Sequence, residues 1–250
     1  MIIDSHVHLG GSRIFDTIID EENLISAMEK NNVDACVVQP LPGALPSSKE
    51  VHDKIFNLAK KYPKKIFGLV SINPHIPKKE LKYEVERCIK ELGFVGIKCH
   101  TIGHSVNPLS EDGDLIFNLA NKLNIPINKH TGIDIAFAYP SLNIPKAKQY
   151  PELKIVLAHS GMGTLASEAY VAAKECTNIY LETSWTSAED IEWFIKEVGS
   201  NRIMMGSDIF NNACYNQAVE LKKYEVINIK DEDRINCLYK TAKEVFNLDI

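Results

Sequence analysis

At 250 residues and 45% hydrophobic content, the chain is long enough for a substantial core. A net charge of −5 with interspersed acids and bases offers no basic face for nucleic acid and no polybasic patch for a membrane. No stretch nears the roughly 18 apolar residues of a membrane span. The opening Met-Ile-Ile-Asp-Ser-His lacks the basic start and apolar centre of a signal peptide. Cysteines 36, 88, 99, 176, 214 and 237 are scattered, without a CxxC pair, inside apolar patterns. They read as buried free thiols in a reducing compartment, so a cytoplasmic protein is expected.

In chain order, the first strand candidate spans 2–7 and runs into His6-Val7-His8, followed by a long loop at 9–20. A second strand is expected at 35–39, then a loop at 40–48. Ser47 and Ser48 before Glu50 form a capping box that opens a helix, and Pro63 lies just beyond it. A third strand at 66–72 leads to a helix from Lys79 to Leu92. There Leu81, Val85, Cys88, Ile89 and Leu92 share one face, and Gly93 is the stop. The fourth strand at 94–99 is followed by a loop at 101–112 and a helix from Leu115 to Leu123, with Asn124 after it. The remaining strands fall at 125–130, 154–159, 178–183 and 202–208, with a long loop at 131–146 after the fifth. A final helix is expected to be capped by Asp231, with Ile235, Leu238, Tyr239, Ala242 and Phe246 as its apolar stripe.

The strand runs are short and apolar, as in parallel strands buried on both faces. They recur about every 30 residues, the size of a βαβ unit. No linker or low-complexity tract interrupts residues 1–250. The pattern predicts one α/β domain, a single (β/α)8 TIM barrel. A long doubly wound sheet would usually place a Gly-rich phosphate loop after its first strand; here that strand ends in histidines.

Those histidines carry the functional signal. Of eight (6, 8, 52, 75, 100, 104, 130 and 159), His6, His8, His100, His130 and His159 fall at strand C-termini. His75 and His104 lie in the loops after strands three and four, and only His52 belongs to a helix. In a barrel all strand C-termini open on the face that carries chemistry. His6 and His8, two apart on a strand, project to one side and can share a cation at Zn–N distances of about 2.0–2.1 Å. Asp208 ends the eighth strand, where a carboxylate can bind a metal and take a proton from metal-activated water.

The set Asp4-Ser5-His6-Val7-His8, Gly96-Ile97-Lys98-Cys99-His100, Lys129-His130-Thr131-Gly132, Ala158-His159-Ser160-Gly161 and Gly206-Ser207-Asp208 resembles the amidohydrolase superfamily. Within it the chain is most similar to the amidohydrolase-related branch, which includes aminocarboxymuconate-semialdehyde decarboxylase-like and lactonase-like proteins. The resemblance spans the whole chain in order. It implies that His6, His8, His130 and Asp208 hold one divalent metal, zinc, with Asp208 and His159 as catalytic acid/base groups. Lys98 sits where binuclear members carry a bridging carboxylated lysine. A bridge, a substrate-binding or structural role, and a solvated bystander stay open, and His100 could assist either metal state. The segment Leu238-Tyr239-Lys240-Thr241-Ala242 looks like the family's closing helix, with Thr241 where many members have Asn.

Arg13, in the loop after strand one, is the arginine expected at the mouth, where it would grip an anionic substrate group or pair with Asp16 or Asp20. Trp185 and Phe210 are candidates to wall the pocket. The expected activity is hydrolysis of an amide, ester or lactone bond in a small acidic substrate. Non-oxidative decarboxylation of a small cyclic acid uses the same ligands and is the alternative. A non-catalytic binding barrel would not be expected to keep an intact ligand set. The expected partner is a small molecule; a homo-oligomer is compatible with the sequence.

Overall fold

The computed structural model describes residues 1–133, 135–209 and 213–250. Strands form where the short apolar runs predict them: β1 Ile3–Ser12, β2 Ala35–Pro40, β3 Ile66–Ser71, β4 Gly96–Cys99, β5 Ile127–His130, β6 Ile155–Ala158, β7 Ile179–Glu182 and β8 Ile203–Met204. Each pairs in parallel with the next. The ring closes through a parallel bridge from Val7 to Ile209. Ser5 N–H donating to Met205 O (3.1 Å) and Asp208 N–H to His6 O (2.8 Å) complete that seam. A helix follows each strand: α1 Glu21–Lys30, α2 Ser48–Lys61, α3 Lys78–Lys90, α4 Glu111–Leu123, α5 Ile144–Gln149, α6 Ala166–Glu175, α7 Ala188–Val198 and α8 Ala213–Val226. This is the expected (β/α)8 barrel. No described helix is long and apolar enough to cross a membrane.

Two apolar layers hold it. Outside the strands, Val7, Leu9, Cys36, Val38, Ile97 and Cys99 pack in one buried cluster with helix residues such as Leu24, Val51, Ile55, Leu81 and Val85. On the other strand face, Ile3, Ala35, Val37, Leu69, Val156 and Met204 pack with Ala242, Val245 and Phe246 of the C-terminal segment. That segment plugs the lower end of the barrel. Ile3 lies in the inner cluster and Val7 in the outer one, although an uninterrupted strand would put residues 3 and 7 on the same side. The register against β2 slips between Asp4 and Val7. Such a bulge changes which side chains face the core, and it turns His6 and His8 into the barrel.

Three local expectations need correction. β1 does not end near residue 7; it runs on to Ser12 and pairs antiparallel with Thr17–Ile19 and Ala44–Leu45. The segments at 9–20 and 40–48, read as loops, therefore build a sheet-like lip. Gly10 permits this: it has φ +94° and a Cβ there would lie 2.9 Å from a Val51 methyl. Asp231 is not a cap, since the helix Asp231–Ile235 starts after Lys230 and has no side-chain cap bond. A π-turn at Asn236–Lys240 then shifts the buried face, so Ile235 is exposed while Cys237 is fully buried. Finally, His104 closes a short helix, Thr101–His104. Two capping predictions agree: Ser47 accepts from Glu50 N–H, and Asn124 adopts the left-handed conformation after α4; α3 instead ends at Lys90 with Glu91 as its C-cap, short of the expected stop at Gly93. Thr241 is buried, and its Oγ1 donates to Ser200 O (3.1 Å), holding the closing helix. Cys36, Cys88, Cys99, Cys176 and Cys237 are buried free thiols.

Candidate active site

The inner face of β1 carries His6 and His8 to the upper rim. His6 Nδ1–H donates to Glu182 Oε2 (2.7 Å) at the end of β7. His8 Nδ1–H donates to the Pro40 carbonyl (3.3 Å) at the end of β2. Burial pushes the Glu182 carboxyl up to about 7; above that pH it can only accept, as a carbonyl always does, so each Nδ1 then holds its ring's proton and each Nε2 presents a lone pair. Both lone pairs face Asp208 Oδ1, at 3.3 Å from His6 and 3.0 Å from His8.

Burial pushes the Asp208 carboxyl up, but the imidazoles around it, His6 foremost, then His159 and His8, hold it well below the usual carboxylate range. Burial, then the nearby Lys98, drives His6 well below the ordinary imidazole value, leaving that ring neutral. Three electron-pair donors therefore converge within 4.8 Å of one another, and the proton that reaches them comes from outside the set, from Lys98 Nζ to His6 Nε2 (2.8 Å). Two atoms about 2.1 Å from a shared ion at the tetrahedral angle are about 3.4 Å apart, close to the spacing seen. The donor set fits a divalent cation.

The other expected ligand, His130 at the end of β5, stands in the adjoining wall. Its ring stacks on His100 (centroids 4.5 Å, 18° between planes) and meets His159 edge-on at 4.7 Å. His130 Nδ1 lies 3.1 Å from His159 Nε2, and His159 Nδ1 lies 2.8 Å from Ser184 Oγ. Both ring nitrogens of His159 are thus engaged within the protein. His100 Nδ1 accepts from Gly103 N–H (3.2 Å), so that ring also caps the short helix after β4. Burial first, then neighbouring cations and imidazoles, pushes His100 and His159 well below the ordinary imidazole value.

Lys98 is no solvated bystander. It is buried on β4, and its Nζ donates to His6 Nε2 (2.8 Å) and Asn128 Oδ1 (3.3 Å). Burial lowers its pKa, opposed by Asp208 and Glu182. Trp185, just past β7, also belongs here: its indole Nε1–H donates to Asp208 Oδ2 (2.7 Å) while the side chain stays 48% exposed. Trp185 (φ +61°), Asp208 (φ +48°) and His159 (φ +67°) all occupy the left-handed region. Non-glycine residues there cost of order 1–3 kcal/mol each and cluster where side chains must be aimed.

Arg13 is not brought to the histidines. Ser12 lies four residues past His8, roughly 13 Å along an extended strand, so β1 carries Arg13 onto the lip. There it is exposed and lines a separate cleft of about 470 Å³ with Leu9, Ile18, Leu45, Pro46 and Lys54. On that side of the rim, the ring of Phe15 lies 6.4 Å from His100. Phe210 lies outside the described residues.

Sequence reasoning missed Glu182, the buried carboxylate at the end of β7. Its signal was the same strand-end position that singled out Asp208. It also passed over Asp4, which accepts from Ser207 N–H (2.8 Å) and Gln217 Nε2–H (2.8 Å) and ties β1 to the closing seam. Gln39 pairs in register with His8 and is fully buried; neither polar atom of its amide has a hydrogen-bond partner among the described residues.

A parallel eight-stranded barrel with this donor set at its C-terminal rim defines a barrel metalloenzyme. The family model described as Amidohydrolase matches residues 45–248, and the chain belongs to that family; it is an enzyme of the amidohydrolase superfamily. Comparison with curated proteins returns no match. Among solved structures, a putative amidohydrolase from Staphylococcus aureus is 18% identical with TM-score 0.77, the match covering 99% of each chain. A 5-carboxyvanillate decarboxylase from Novosphingobium aromaticivorans, complexed with manganese, is 15% identical with TM-score 0.78, covering 99% of this chain and 96% of that one. A probable 2-pyrone-4,6-dicarboxylic acid hydrolase from Acinetobacter baumannii with citric acid bound is 16% identical with TM-score 0.72, covering 98% and 99%. At these identities the likeness is one of fold.

Proposed function

We propose that the protein is a metal-dependent hydrolase that opens an amide, ester or lactone bond in a small substrate bearing an acidic group. The observation that carries this reading is the convergence of His6 Nε2, His8 Nε2 and the ionised Asp208 at one rim. One divalent ion, zinc in this proposal, would be held by His6, His8, His130 and Asp208; when bound it polarises the scissile group and lowers the pKa of water. The chain's own residues do the rest. Asp208 accepts the proton of the attacking water, with its second oxygen held by Trp185. Lys98, a buried amine beside His6, faces the acidic group of the substrate, and His100 borders the same wall. His159 steadies His130 from behind.

Lys98 equally favours a second reading, decarboxylation, because a buried cation next to the donor set suits a carboxylate that leaves as CO2. The decarboxylase with bound manganese among the structural neighbours supports weighing it, and makes manganese the alternative metal. One experiment separates the two. The metal-loaded protein is offered small lactones, esters, amides and cyclic carboxylic acids while acid release and CO2 are followed together. Acid release without CO2 supports the hydrolase, and CO2 supports the second reading. Purified protein that retains no divalent metal, or retains the same amount after His6→Ala, would overturn both.

A further inference from the structure

Four donors converge on the buried Glu182. Its Oε2 accepts from His6 Nδ1–H (2.7 Å), Ser184 Oγ–H (2.9 Å) and His159 N–H (3.1 Å), and its Oε1 accepts from Ser184 N–H (2.6 Å). The direction of each bond then propagates. Ser184 Oγ gives its only hydrogen to Glu182, so toward His159 Nδ1 (2.8 Å) it can only accept, which places the proton of His159 on Nδ1. His159 Nε2 is then a lone pair and accepts from His130 Nδ1–H (3.1 Å). His130, in turn, is left with its lone pair on Nε2. Lys98 Nζ donating to His6 Nε2 (2.8 Å) agrees with the same assignment at His6.

We infer that Glu182 is a positioning residue that sets the tautomers of three histidines at once: His6 directly, and His159 and His130 through Ser184. A hydrogen-bonded outer carboxylate fixes both the tautomer and the orientation of the imidazole it touches; here one carboxylate does so along two branches. The surrounding backbone leaves room for this hub. A Cβ on Gly206 would collide with the Glu182 carboxylate and lie 2.7 Å from His6 Cβ, so the segment just past β8 admits only glycine there. Burial of both His6 and Glu182 removes water as a competing partner.

The inference rests on the donor-set reading above, and its test does not depend on turnover. Long-range proton–nitrogen spectra of the metal-free protein, at one fixed mildly alkaline pH, report which nitrogen of each neutral ring carries hydrogen. In the wild type His6, His130 and His159 should all be Nδ1–H. In Glu182→Gln the short bond from Ser184 N–H pins the amide oxygen at the Oε1 position, so an NH2 group faces His6. His6 should then carry its proton on Nε2, and Zn2+ affinity should fall 10- to 100-fold. Ser184→Ala should cut only the second branch: His159 and His130 lose the fixed Nδ1–H form while His6 keeps it. Unchanged tautomers of His6 in Glu182→Gln would overturn the inference. If that variant does not fold, unchanged His159 and His130 in Ser184→Ala would do the same. Tautomers that shift as expected in a protein that binds no Zn2+ would leave Glu182 in this role and remove the hydrolase reading instead.

Discussion

Two buried histidine–glutamate pairs sit among the described residues of this barrel, and they differ in one respect. In the helix layer, His52 Nδ1–H donates to Glu84 Oε1 (2.8 Å) and His52 Nε2 accepts from Ser71 N–H (3.0 Å). Arg87 grips both oxygens of Glu84 and reaches Asp53 (2.7 Å). Every lone pair there that matters meets a proton, although His52, Glu84 and Cys88 come as close together as a metal set would. At the rim, His6 makes the same Nδ1–H bond to a buried glutamate and its Nε2 accepts from the amine of Lys98 (2.8 Å), but that nitrogen and His8 Nε2 both also face the carboxylate Asp208, which has no hydrogen to offer. Residue type and proximity do not separate structure from function here. The proton inventory does.

The largest break in that comparison is expected at Asp208. Asp208→Asn replaces an acceptor-only oxygen with an amide that can donate to His8, closing the site as Ser71 closes the one around His52. Turnover should fall by about 10²- to 10⁴-fold, the usual worth of a positioned acid or base, and bound metal should drop with it. Metal analysis and kcat on the same preparation check this; retained metal and activity would place the base elsewhere.

Next in size, and opposite in kind, is Glu84→Ala. Removing Glu84 leaves His52 Nδ1–H without its acceptor and Arg87 with only the half-exposed Asp53, and costs about 3 kcal/mol of stability, the low end for breaking a buried pair. Metal content and activity per folded molecule should not change. Burial pushes Glu84 up, but hydrogen bonds from His52 and Arg87 outweigh it and bring the carboxyl down from 4.5 to about 2. Its folded value lies below its unfolded one, so its contribution is whole above about pH 4.5 and is lost as pH falls toward about 2. Denaturant unfolding of wild type and Glu84→Ala across that interval should therefore converge as pH drops. Parallel curves would show that the pair contributes nothing.

What the sequence made legible follows the same division. Buried parallel strands demand short apolar runs, so all eight could be placed to within a residue or two of most ends, and strand-end chemistry pointed to His6, His8, Lys98 and Asp208. The lip was illegible because Gly10, Gly11 and Ser12 carry no alternation and pair with residues as remote as Ala44 and Leu45. The position of Arg13, on that lip, was hidden for the same reason. The π-turn at Asn236–Lys240 inserts a register shift that no helical periodicity announces. Glu182 and Gln39 were readable by position alone, each ending a strand as the histidines do, but a search led by imidazoles passes over them. Proton direction, which decides the site, appears only once partners are known.

The smallest effect is expected at Trp185, and it tests whether proton inventory also governs the outer edge of the site. Asp208 has two oxygens with different tasks: Oδ1 faces His6 and His8, while Oδ2 is held by the indole Nε1–H. Trp185→Phe keeps an aromatic wall and deletes that one donor. A hydrogen bond to a charged group is worth about 1.5–3 kcal/mol when buried. With Trp185 48% exposed, water can replace part of that, and kcat should fall about 10-fold, the equivalent of about 1.4 kcal/mol. Metal content should stay at the wild-type level, because both oxygens of Asp208 remain. KM should move little, because the wall is preserved. A KM that rises with kcat untouched would make Trp185 a substrate wall alone. A kcat that falls while metal stays would extend the rule from the histidines to the carboxylate, whose aim is set by the single hydrogen it accepts from behind.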